Sequence, residues 1–166
     1  GSFYHNPLFH GDDLVFLAGG SGIAPARSML LNMLDKNLTQ KFHFVYTSSF
    51  TDDVIFIEEL RELADKFDNF TLTEVISRPP ENYSGLTGHL SQSLIEELVG
   101  DVKKKMFYVC GPTPFLEYCH AQLMQLDVEP RFVRIEANGP PKNPDQFSNW
   151  PSAVNMETEV TVTVKN

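Results

Sequence analysis

Five short apolar runs, separated by four amphipathic stretches of helical length, set the frame of this chain. LVFLA at 14–18, FHFVYT at 42–47, residues 70–76, MFYVC at 106–110 and RFVRIEA at 131–137 have strand length and composition. Between them, PARSMLLNMLDKN at 25–37, DVIFIEELRELADKF at 53–67, residues 91–99 and residues 113–126 read as helices. Met29, Leu30, Met33 and Leu34 give the first helix one apolar face, and Pro25 suits its first turn, where a missing N–H costs nothing. Ile57, Leu60, Leu63 and Ala64 do the same for the second helix. Strands that alternate with helices require right-handed crossovers and a parallel sheet covered on both faces. The apolar strands 14–18 and 106–110 fit that two-sided burial. The expected fold is therefore α/β, a doubly wound parallel sheet of about five strands with helices on both faces, over residues 11–138.

Both ends depart from that rhythm. Residues 1–10 carry no periodicity and read as a connector. From Asn138 the composition turns to NGPPKNPDQFSNWPS, a proline-rich linker, and then EVTVTVKN alternates valine with threonine at period two. A lone strand is not stable without partners. It either joins an edge of the sheet or opens a further domain, and the hydrophilic linker favours the second.

Lys and Arg total 13 against 22 Asp and Glu, a formal charge of −9. That balance disfavours a nucleic-acid or anionic-membrane surface, which needs clustered cations, but leaves room for a local phosphate site. The apolar runs are too short to span a bilayer, and no basic region leads into an apolar signal core, so a cytoplasmic location is expected. Cys110 and Cys119 have neither redox nor metal spacing, and the five histidines are scattered, so no metal site is expected.

The first strand breaks into Gly19-Gly20-Ser21-Gly22 just before a helix. In an open parallel sheet, ligands bind beyond the carboxyl ends of the strands. Bare backbone there lets N–H groups approach a phosphate, and the helix's positive end adds attraction. A tight turn without a ligand is the competing explanation. No Lys-Ser/Thr follows, as an ATPase phosphate loop demands, and Pro25 occupies the third-glycine place of the ordinary dinucleotide fingerprint. The second strand ends Tyr46-Thr47-Ser48-Ser49, without the carboxylate that fingerprint uses on ribose.

The motif G-G-S-G-I-A-P at 19–25, followed by Ser28-Met29, instead resembles the nucleotide-binding domain of the ferredoxin–NADP reductase superfamily. The remaining signatures come in order: YTSSFTDDVIFIEEL at 46–60, Ser77-Arg78-Pro79 with Gly85 and Gly88, Cys110-Gly111-Pro112 with Phe115, and FVRIE at 132–136. The resemblance covers residues 3–138. It implies that Gly19, Gly20, Ser21 and Gly22 hold a pyrophosphate in a loop shaped by Ile23 and Pro25. It further implies cofactor roles for Thr47, Ser48, Ser77, Arg78, Gly111, Pro112 and Phe115. Cys110 would flank the nicotinamide and set its distance to a flavin, and Glu136 would stand near that junction. Cys110 ends a buried strand, so its thiol is expected to face the same crevice as the glycine loop. Hydride transfer rests on near-contact geometry and needs no protein nucleophile. Tyr118, His120 and the Met29/Met33 pair are read as helix-face packing.

Family members pass hydride from NAD(P)H to FAD held by a preceding β-barrel, whose tail end residues 3–10 resemble. Relatives that prefer NADP carry cations for the 2′-phosphate. Here Ser49 stands where many have arginine, His89 stands where the plant enzymes have tyrosine, Arg78 remains, and Asp52 and Asp53 would repel a second phosphate. NADH is the expected coenzyme. EVTVTVKN is similar to the opening strand of a plant-type [2Fe-2S] domain. The implied parent is an NAD(P)H-dependent flavoprotein oxidoreductase with an iron–sulfur tail and a redox partner protein, with residues 1–10 and 139–166 belonging to its flanking domains. The alternative is a non-catalytic dinucleotide-binding or regulatory module.

Overall fold

A computed structural model describes residues 11–137. The connector at 1–10, and the linker and strand within 139–166, lie outside the described residues. Six strands form one sheet: β1 (Asp13–Gly19), β2 (Lys41–Ser48), β3 (Phe70–Ile76), β4 (Leu86–Thr87), β5 (Met106–Gly111) and β6 (Val133–Ala137). Their order is β4-β3-β2-β1-β5-β6, and every neighbouring pair is parallel. Four helices connect them: α1 (Ile23–Asp35), α2 (Ile57–Lys66), α3 (Gln92–Val99) and α4 (Thr113–Gln125).

The sheet has six strands where the sequence predicts about five. The extra one, β4, is two residues long and sits in the proline-containing loop after β3, where only its pairing with Val75 and Ile76 makes it a strand. The second helix also starts later than its apolar pattern predicts. Thr51–Asp53 forms a separate 3₁₀ turn, and Phe56, at φ 58°, takes a left-handed conformation that cannot belong to a helix interior. Glu58 and Glu59 then occupy the first turn of α2, where the helix dipole favours negative charge.

Alternate residues of the central strands serve two cores. Leu14, Phe16, Phe44, Tyr46 and Tyr108 pack under α1 and α2, while Val15, Leu17, Val45, Phe107 and Val109 pack under α3 and α4. Residues 14–19 of β1 and all of β5 are buried, as the two-sided apolar pattern requires. Phe16 is the hub of the first core, with ring centroids 4.8 Å from Tyr108 and 4.7 Å from Phe44. Each such fully buried ring contributes about 2–3 kcal/mol of apolar burial. From β1 the chain winds outward through β2 and β3 beneath α1 and α2. It then crosses back over the other face through α3 to reach β5 on β1's far side. Strand order thus reverses between β1 and β5, which opens a crevice at the carboxyl end of β1.

Candidate functional site

A cleft of about 700 Å³ opens at that reversal point. Gly19, Gly20 and Ser21 form one wall at the end of β1; Thr47, Ser48, Ser49 and Asp53 follow from β2, and Ser77 from β3. The opposite wall comes from Gly88, His89 and Leu90 before α3, and from Pro112, Pro114, Phe115 and Tyr118 at the start of α4. The volume is that of a small-molecule site.

The glycines are there for lack of room. A Cβ on Gly22 would lie 2.0 Å from the carbonyl oxygen of Cys110 and 2.7 Å from the nitrogen of Gly111. A Cβ on Gly19 or on Gly111 would meet the Phe115 ring at 2.9 Å. Two turns, one after β1 and one after β5, therefore press together with Phe115 lying across both. Gly20 meets nothing but has φ 52°, which suits glycine. The 3₁₀ turn Gly20–Gly22 leads straight into α1.

Two helix N-termini, those of α1 and α4, adjoin this cleft. Neither has a side-chain cap, and neither carries an acidic residue in its first turn, in contrast to α2. Their positive ends favour an anion between them, in a chain whose net charge is negative. Among the described residues, Asp53 is the only Asp, Glu, Lys or Arg in the lining. Hydroxyls line the strand ends: Thr47 Oγ1 donates to the Ala18 carbonyl at 3.3 Å, and Ser77 Oγ to the Ser48 carbonyl at 3.4 Å. The Ser77 and Arg78 amides also donate to the carbonyls of Ser48 and Ser49, tying the ends of β2 and β3 together.

Of the residues expected at the site, Gly19, Gly20, Ser21, Thr47, Ser48, Ser77, Pro112 and Phe115 line the cleft. Gly22, Ile23 and Pro25 stand behind it. Gly22 packs on the Cys110 carbonyl, Ile23 is fully buried in the α1 core, and Pro25 is half-buried in the first turn of α1. Arg78 is outside the lining; its guanidinium sits 5.9 Å from the Phe50 ring centroid. Gly111 backs the cleft through Phe115.

Cys110 and Glu136 also lie outside the lining, although the Cys110 backbone abuts the glycine loop at Gly22. Cys110 pairs with Ala18, whose side chain belongs to the α1 core, so the thiol lies on the α1 face of the sheet. Cys110 and Glu136 are register partners on β5 and β6. Burial, with the Glu136 carboxylate adding to it, pushes the Cys110 thiol up to about 11, so at neutral pH it is neither nucleophile nor base. Cys119 is buried among the α4 core residues and reaches about 12.

Tyr118 departs from its expected packing role. It is 38% exposed, lines the cleft, and its ring centroid lies 6.0 Å from that of His89. The signal was its spacing of three from Phe115, which puts both on one helix face. Among the described residues, no three His, Cys, Asp or Glu side chains come together to hold a metal ion, and no helix is long and apolar enough to cross a membrane.

Residues 16–121 match the family of oxidoreductase NAD-binding domains. The glycine betaine monooxygenase reductase subunit of Pseudomonas aeruginosa is 33% identical over 110 residues, 65% of this chain and 30% of that subunit. Cytochrome b5 reductase 4 of Bos taurus is 32% identical over 125 residues, 70% of this chain and 23% of that protein. The chain thus spans less than a third of either relative. Among solved structures, the CS-b5R domains of human Ncb5or in the NAD+ form superpose with a TM-score of 0.67 at 28% identity, over 75% of this chain and 36% of that one. The FAD/NAD-binding domain of a Vibrio cholerae nitric oxide dioxygenase gives 0.71 at 22% identity, over 83% and 54%.

Proposed function

This chain belongs to the oxidoreductase NAD-binding domain family, of the ferredoxin reductase-like superfamily, and on that premise we propose that it is the nucleotide-binding portion of an NAD(P)H-dependent flavoprotein oxidoreductase. Hydride passes from the bound nicotinamide to FAD held by a flanking domain, and electrons continue to an iron–sulfur centre or a redox partner protein. The observation that carries this reading is the cleft at the β1/β5 reversal, flanked by two uncapped helix N-termini and a turn in which Gly19 and Gly22 leave no room for a Cβ.

The pyrophosphate lies against Gly20 and Ser21, stabilised by the dipoles of α1 and α4. The adenosine half lies between Thr47, Ser48 and Ser77 on one side and the His89 and Tyr118 rings on the other, which offer flat surfaces to a flat base. Phe115 holds the two glycine turns at fixed separation, so the coenzyme's phosphates and nicotinamide keep one geometry. Cys110 and Glu136, at the ends of β5 and β6, border the nicotinamide end where the flavin domain closes over it. The role of Cys110 there is spatial, because its thiol stays protonated.

NADH is the preferred coenzyme. A 2′-phosphate brings a dianion, and the cleft meets it with Asp53 and no Lys or Arg. Outside the lining, Arg27 is occupied with Glu59 at 2.6 Å, and Arg78 turns to Phe50.

A ¹⁵N NMR titration of the chain with NADH tests the reading. Amide signals of Gly20, Ser21, Thr47, Ser77 and His89 are expected to move in a saturable way. Signals that stay put at millimolar coenzyme would remove the proposal.

A further inference from the structure

We propose that Tyr46 is a positioning residue for coenzyme choice: its phenol fixes the segment that carries Asp53, and thereby sets how strongly the cleft refuses a 2′-phosphate. The inference rests on the NADH reading above and deepens it. Tyr46 stands on β2, 1% exposed, within the core under α1 and α2. Its hydroxyl accepts a hydrogen bond from the Ile55 amide at 3.0 Å and shares another with the Ser48 side chain. Ser48 Oγ in turn donates to the Asp53 carbonyl at 3.4 Å. Two side chains of one strand therefore hold the backbone on both sides of Val54.

Elsewhere the segment is held by partly buried Val54 against the core and by the Arg27 guanidinium 4.8 Å from the Phe56 ring centroid. Phe50, Ile55 and Phe56 are 49%, 41% and 44% exposed, so their burial anchors it weakly. Phe56 adopts φ 58°, a conformation that bulky residues keep only when their surroundings impose it. The Asp53 amide reaches only the Phe50 carbonyl, at 3.3 Å. In the core, a phenylalanine would serve in place of Tyr46 as Phe44 does two residues earlier, so the phenol oxygen is there for the loop. Burial holds that phenol protonated, with the neighbouring Asp53 and Glu74 carboxylates acting the same way, so it keeps both a donor and an acceptor.

The test compares dissociation constants for NADH and NADPH, measured by titration of the whole 166-residue chain. Tyr46→Phe is expected to lower the NADPH-to-NADH ratio about fivefold, the worth of one hydrogen bond, while NADH affinity changes less than about twofold. Asp53→Asn sets the ceiling, and adding Tyr46→Phe to it should move the ratio no further, because both act through one carboxylate. Ser48→Ala should shift the ratio in the same direction, and it stands in should Tyr46→Phe fail to fold. A ratio unchanged in Tyr46→Phe, or lowered equally with Asp53 already replaced, overturns the inference and leaves the NADH reading standing. A wild-type chain that binds neither coenzyme overturns both.

Discussion

Replacing Gly22 by alanine should cost more than any other single methyl added near the cleft. Gly22 sits at φ −61° and ψ −12°, which alanine adopts freely, so backbone strain contributes nothing. The cost is steric. The new Cβ would stand 2.0 Å from the Cys110 carbonyl oxygen and 2.4 Å from its carbon, against the 3.0 Å below which real Cβ atoms essentially never come. Backbone on both sides must separate by about 1 Å, and neither side is a flexible chain end: β5 is buried throughout, and the turn runs directly into α1. Overpacking of this kind costs about 3 kcal/mol, at the upper end of its usual range. Alanine recovers about 0.7 kcal/mol by restricting the unfolded chain. The net loss is about 2 kcal/mol, or about 8 °C in Tm for a domain of this size. Thermal denaturation followed by circular dichroism reads the shift, and an NADH titration reads the second consequence, weaker binding as the two turns are pushed apart. Gly20→Ala serves as the control. It meets no atom within 4 Å, and its left-handed φ of 52° costs about 1 kcal/mol, roughly half as much. A Gly22→Ala protein that melts within about 2 °C of the wild type and binds NADH equally would show that the two turns do not press together as described.

Two further outcomes follow from the same contacts. The Cys110 and Cys119 thiols are held at about 11 and about 12, against 9.0 for an ordinary cysteine here, so between pH 9 and 11 the folded chain keeps protons that the unfolded chain releases. Stability should therefore fall as pH rises past about 9, with full stability below it, and iodoacetamide at pH 8 should alkylate the native chain far more slowly than the urea-unfolded one; equal rates would contradict the burial. Ser91→Ala removes the Oγ that accepts from the Leu94 amide at the start of α3, and should lower stability by about 1 kcal/mol in urea titration without altering the coenzyme dissociation constant.

What the sequence made legible was the part governed by period and by missing side chains. The strands β1 and β5 announce themselves because a strand buried on both faces admits no charged residue, and the glycines after β1 because a close approach leaves no room for a Cβ. β4 was not readable. Leu86 and Thr87 carry no pattern, and they are a strand only because β3 offers them an edge. The start of α2 departs from the apolar pattern for a related reason: Val54, Ile55 and Phe56 prolong the apolar run, yet a hydrogen bond from the Ile55 amide to Tyr46, nine residues back, holds them outside the helix.

Cys110 is the most instructive of these. Strand parity fixes that Cys110 and Val109 point to opposite faces, and that much is available from the sequence alone. What stands beside those strand ends is decided by α4, whose first turn folds Phe115 back over Gly19 and Gly111, and no local pattern encodes that crossing. The same limit applies to charge. A count of acids and bases at −9 only leaves room for a local phosphate site, whereas what favours an anion at the cleft, the ends of two helices, is something a composition cannot display. On the proposed reading, discrimination between one phosphate more and one fewer falls to Asp53, the lone carboxylate of that lining among the described residues, and to the buried phenol and hydroxyl that hold its backbone. On that reading, specificity is set by where a negative charge is held, more than by any cation among the described residues.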